Sequence, residues 1–132
     1  MTVFLLRHGQ TRGNLERRYT GSTDEPLCPQ GKAELEGVRP PEAEYVYVSP
    51  MIRCRETAAI LYPGMEHIAV PGFRETGFGI FEGHTYEELK ETMDPSLDAV
   101  GKLVYLNHEL FLMIDSSVSL DLLARLLSTQ LL

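Results

Sequence analysis

Short apolar runs, broken by glycine, proline and charge, set the rhythm of this chain. Val3, Phe4, Leu5 and Leu6 form a run that stops at Arg7, His8 and Gly9. It is too brief for a membrane span or a signal-peptide core and suits a buried strand over residues 2–6. Residues 45–48 read as a second strand ended by Ser49-Pro50, residues 67–70 as a third closed by Pro71-Gly72, and residues 102–106 as a fourth. Helical stretches lie between them. Residues 29–37 carry proline in the first turn, residues 53–61 stop before Pro63-Gly64, and Thr85 with Glu88 has capping-box spacing at the head of a helix reaching Met93. Residues 120–131 read as a final apolar helix. Strands alternating with helices predict an α/β fold with a mainly parallel sheet.

If the strands run parallel, their carboxyl ends share one rim, and ligands of open α/β sheets bind at that rim. Arg7 and His8 follow the first strand, Arg53 follows the second, and His108 follows the fourth. The spacing therefore predicts two arginines and one or two histidines around a single crevice.

Composition narrows the occupant. A chain of 132 residues with 43% hydrophobic residues fits one domain, residues 1–132. The net charge of −7 excludes a general nucleic-acid binder. Eight of the twelve Lys/Arg residues fall within residues 1–60, which suits a local anion pocket in an acidic protein. Cys28 and Cys54 lack CxxC spacing and read as reduced, cytosolic thiols.

Two guanidinium groups suit a phosphate, since each planar fork donates two hydrogen bonds to neighbouring oxygens. A histidine between them can bind phosphate or attack phosphorus, given a second ring nitrogen fixed by an acceptor. A departing alcohol then needs a proton from a nearby carboxylic acid. Glu75, in the glycine-rich stretch PGFRETGFGIFEG, is the first candidate donor and Glu82 the second, whereas Glu87 and Glu88 read as helix-surface charges. His67 reads as structural and His84 as a capping or rim residue. The chain carries no HExxH, no GxxxxGK(S/T) and no GxSxG, so neither a zinc site, a P-loop nor a serine hydrolase has support.

The segments FLLRHGQTRGN, TGSTDEPL, SPMIRCRETA and RETGFGIFEG occur in that order. Together they resemble the histidine phosphatase superfamily, with its phosphoglycerate mutase-like fold, over residues 1–93. The wording FGIFEGHTYEEL is most similar to the branch holding alpha-ribazole phosphatase and broad-specificity phosphatases. The resemblance implies a three-layer α/β fold around a mainly parallel sheet, shortened at the C-terminal side. It makes His8 the phosphate-accepting histidine, Arg7 and Arg53 the phosphate-binding arginines, and Glu75 the proton donor. Asn14, Thr20 and Gly21 fall on positions lining the phosphate or substrate side, and Thr11 adds a hydroxyl.

It further implies metal-independent phosphomonoester hydrolysis through a phosphohistidine, with no cofactor, a small phosphorylated metabolite as substrate, a cytoplasmic location, and neither nucleic acid nor membrane as partner. The related branch of mutases is an alternative. So is an inactive phosphate-binding scaffold, because the family's second histidine, in His-Gly-Gly, has no counterpart here. Two readings of residues 94–132 stay open. In one, the segment around residues 102–108 is a compact version of that later strand and His108 takes the second-histidine role. In the other the tail is unrelated to the family and the pocket is halved. Loss of a helical cover favours a homodimer.

Overall fold

A computed structural model describes residues 2–92 and 111–114. Four strands, β1 (Val3–Leu6), β2 (Tyr45–Val48), β3 (His67–Ala69) and β4 (Phe111–Ile114), form one sheet in the order β1-β4-β2-β3. β2 and β3 pair in parallel. β4 lies antiparallel to both its neighbours, with Leu6 opposite Phe111 and Val46 opposite Met113. Two reversals restore direction, so three of the four strands, β1, β2 and β3, run the same way. The ends of β1 and β2 therefore face one rim, as the spacing predicts.

The fourth described strand is not the one expected from the sequence. The expected strand at residues 102–106, the helix at 120–131 and His108 all lie outside the described residues. The strand beside β1 is instead the apolar run FLMI, entered in the opposite direction. A four-residue apolar run forms a ladder in either direction, and its neighbours decide which.

Among the described residues the α-helices are α1 (Arg12–Leu15), α2 (Pro29–Glu36), α3 (Ile52–Leu61) and α4 (Tyr86–Thr92). α2 begins where proline costs nothing, at a position whose N–H has no helical partner. Its first turn meets the chain leaving β1: Cys28 N–H donates to the Gln10 carbonyl at 2.9 Å. Gly31 must be glycine there, because a Cβ would lie 2.2 Å from that same carbonyl oxygen. α3 buries Arg53, Cys54, Thr57, Ala58 and Leu61, a stripe at helical spacing. α4 starts as its sequence predicts: Glu88 N–H donates to Thr85 Oγ1, and Thr85 N–H to Glu88 Oε2, both at 3.1 Å.

The core gathers Leu27, Leu35, Val46, Val48, Met51, Cys54, Ala58, Leu61 and Tyr62. Each large aliphatic side chain buried in this way stabilises the fold by about 1.5–3 kcal/mol before entropy is counted. Cys28 and Cys54 are both buried and not joined in a disulfide. No helix among the described residues is long and apolar enough to cross a membrane.

Candidate functional site

His8 stands two residues beyond β1 and is buried. Its Nδ1 lies 2.5 Å from the carbonyl oxygen of Gly9. A carbonyl only accepts, so Nδ1 carries the proton, and in the neutral ring the lone pair sits on Nε2. The neighbouring Gly9 N–H donates to Thr57 Oγ1 at 3.0 Å, and that hydroxyl donates to the Arg53 carbonyl at 2.7 Å. The exit of β1 is thereby fastened to α3 one turn from Arg53.

Arg53 is 1% exposed. Its Nη1 donates to the Thr23 carbonyl at 2.9 Å and its Nη2 to the Gly21 carbonyl at 3.1 Å. The sequence predicts two open guanidinium forks; the structure leaves Arg7 exposed at the rim and buries Arg53 against the loop after Tyr19. That loop is pinned along its length to α3. Asp24 Oδ1 accepts the Ile52 N–H at 2.7 Å, capping the helix from a distance, and Glu56 Oε2 accepts the Leu27 N–H at 2.8 Å. Burial pushes the Glu56 carboxyl up, but the Lys32 ammonium and the Leu27 amide outweigh it and hold the group below its usual range.

Glu75 is half-buried. Its Oε1 accepts the Thr76 N–H at 3.1 Å. The segment is pressed onto Gly21, where a Cβ would come within 2.2 Å of the Thr76 carbonyl oxygen, so only glycine fits. His8, Arg53, Gly21 and Glu75 are in this way joined by one chain of contacts.

Thr11 and Asn14 sit at α1, a turn that the apolar spacing does not predict. Thr11 is its N-cap and 1% exposed. Its N–H and its hydroxyl both donate to Asn14 Oδ1, at 2.9 and 3.0 Å, and its Oγ1 accepts the Asn14 N–H at 3.3 Å. The Thr11 hydroxyl expected at the phosphate is thus occupied with its own helix. Thr20 is also buried, donating to the Arg18 carbonyl at 3.3 Å.

Glu82, the second-choice proton donor, has another place. Oε1 accepts from the Gly21 N–H at 2.9 Å, the Thr23 N–H at 2.8 Å and the Thr23 hydroxyl at 2.6 Å, while Oε2 accepts the Phe78 N–H at 2.9 Å. Burial raises its pKa, but these four bonds prevail and hold it below the usual range, which disfavours proton donation. Thr57 and Thr23, which fasten the site, were missed by sequence reasoning. For Thr57 the signal was available: Arg53 and Thr57 are four apart on one helix face. Exposed His84 makes a 3.4 Å pair with Glu88, and His67 Nε2 bonds the Tyr62 carbonyl at 3.0 Å. Among the described residues no group of histidine, cysteine or carboxylate side chains could hold a metal ion.

Residues 3–103 match the family described as histidine phosphatase superfamily (branch 1). The chain is 32% identical over 97 residues to a probable phosphoglycerate mutase of Escherichia fergusonii, covering 69% of this chain and 45% of that protein. It thus spans about half the length of the curated relatives it matches. A crystal structure of phosphoserine phosphatase with 3-phosphoglyceric acid from Entamoeba histolytica is similar at a TM-score of 0.62 and 33% identity, over 74% of this chain and 50% of that one. Phosphoglycerate mutase from Thermus thermophilus is similar at 0.59 and 32%, over 75% and 56%. A putative alpha-ribazole-5'-P phosphatase from Escherichia coli shares the fold at 0.59 and 22% identity, over 81% and 55%.

Proposed function

The chain belongs to the histidine phosphatase superfamily, branch 1, and from that premise we propose that it cleaves small phosphate monoesters through a phosphohistidine on His8. The observation that carries this reading is the bond from His8 Nδ1 to the Gly9 carbonyl, which directs the ring's lone pair to Nε2. In the first step Nε2 bonds to phosphorus as the bond from phosphorus to the ester oxygen breaks, and Glu75 gives that oxygen its proton. In the second, water attacks phosphorus, the N–P bond breaks, and the Glu75 carboxylate takes the water's proton. Arg7 and Arg53 offset charge on the transferring group, the main source of catalysis in phosphoryl transfer. Asn14, Thr20 and Gly21 line the substrate side. If the segment around residues 102–108 is the compact version of the later strand, His108 takes the second-histidine role, and no metal takes part.

The substrate class is a small phosphorylated metabolite. Phosphate release from p-nitrophenyl phosphate by the full chain tests the reading. Release by the wild type and its loss in a folded His8→Ala variant is the expected result; phosphate binding without release would make the chain an inactive scaffold. The names of the mutase relatives favour a second reading, in which the phosphoryl group returns to another hydroxyl of the same molecule. With 3-phosphoglycerate, an isomeric phosphoglycerate rather than free phosphate is the product that would select it.

A further inference from the structure

We propose that Glu82 is a positioning residue for this site, fixing at once the loop that holds Arg53 and the segment that carries Glu75. The proposal rests on the roles given to those two residues above. Its ground is the two-sided use of Gly21 and Thr23. Each presents its N–H to Glu82 Oε1, at 2.9 and 2.8 Å, and its carbonyl to the Arg53 guanidinium, at 3.1 and 2.9 Å. The backbone of both residues is thus held between a carboxylate on one side and a guanidinium on the other. Glu82 and Arg53 thereby act on each other through the loop.

The same carboxylate reaches the second wall. Oε2 takes the Phe78 N–H at 2.9 Å, and the Thr76 carbonyl is already seated on Gly21. Phe78 also packs edge-on against the buried Tyr19 ring, with centroids 5.9 Å apart. The two segments meet at their polar edges through Glu82 and at their apolar edges through Tyr19. Moving Glu82 moves the carbonyls that aim the Arg53 fork.

Nitrogen-edited NMR of the Arg53 guanidinium in the full chain reads this directly, and calorimetry with inorganic phosphate reads its consequence. In Glu82→Ala the Arg53 signals should shift and broaden, and phosphate affinity should fall about tenfold or more. Glu82→Gln, whose Oε1 still accepts from Gly21 and Thr23, should restore both. Arg53→Lys combined with Glu82→Ala should lose little affinity beyond the worse single variant, since the two residues serve one element. If Glu82→Ala does not fold, Glu82→Asp decides: retracting the carboxylate by one methylene should move the Arg53 signals. Unchanged Arg53 signals in a folded Glu82→Ala or Glu82→Asp variant overturn the proposal. A wild type that binds no phosphate would instead count against the functional reading, and the Arg53 spectra would still judge Glu82.

Discussion

Gly9 and Thr57, forty-eight residues apart, are joined by a 3.0 Å bond from the glycine amide to the threonine hydroxyl, which passes its own proton to the Arg53 carbonyl at 2.7 Å. Thr57 is fully buried. Thr57→Val keeps the shape and removes the acceptor, leaving the Gly9 N–H unpaired. That should cost about 1–3 kcal/mol, read as a lower urea midpoint at unchanged slope. Thr57→Ser should restore most of it.

Gly21 is one of the points where the Arg53 loop and the Glu75 segment touch. Gly21→Ala puts a methyl 2.2 Å from the Thr76 carbonyl oxygen and should cost about 1–3 kcal/mol together with most of the phosphatase activity. Gly72→Ala, with open space around the added carbon, should leave both unchanged. Thermal melts and p-nitrophenyl phosphate turnover on the two variants provide the comparison.

Glu75 as proton donor carries a signature in the leaving group. Glu75→Gln should lower kcat on an alkyl phosphate by about 10²–10⁴-fold. The loss on p-nitrophenyl phosphate should be far smaller, because p-nitrophenolate departs without a proton. Equal losses on both substrates would assign Glu75 a binding role.

The strands at 3–6 and 45–48 and the helices at 29–36 and 52–61 were legible because apolar spacing, proline and glycine mark them locally. The order of strand ends showed that β1 and β2 open onto one rim, but not that Arg53 lies buried beneath the loop after Tyr19. The turn at α1 was missed, although Thr11 and Asn14 have the spacing of a reciprocal cap. Neither β4 itself, at Phe111–Ile114, nor its antiparallel entry was read from the sequence, since the run FLMI contains nothing that chooses a direction. Nor was the contrast between Glu75 and Glu82. Both are acids in one glycine-rich stretch, and only the fold brings four donors onto Glu82.

Acid should unfold the chain partly through Glu56 and Glu82. Burial pushes both carboxyls up, but their hydrogen bonds prevail and both lie below the ordinary value of 4.5 when folded. As pH falls, the unfolded chain takes up these protons first. The stabilisation is therefore complete above pH 4.5 and disappears as pH drops through the lower folded values. Urea midpoints should be steady well above that pH and decline below it, with a shallower decline in Glu82→Gln.

Most direct is the chemical state of His8 during turnover. Rapid acid-free quenching with a ³²P-labelled phosphomonoester, followed by peptide mapping, should find label on His8 that is stable in base and lost in acid. His8→Ala, folded as judged by circular dichroism, should carry none. Label of the same stability on His8→Ala, or turnover by the wild type with no labelled histidine at any quench time, would contradict the account.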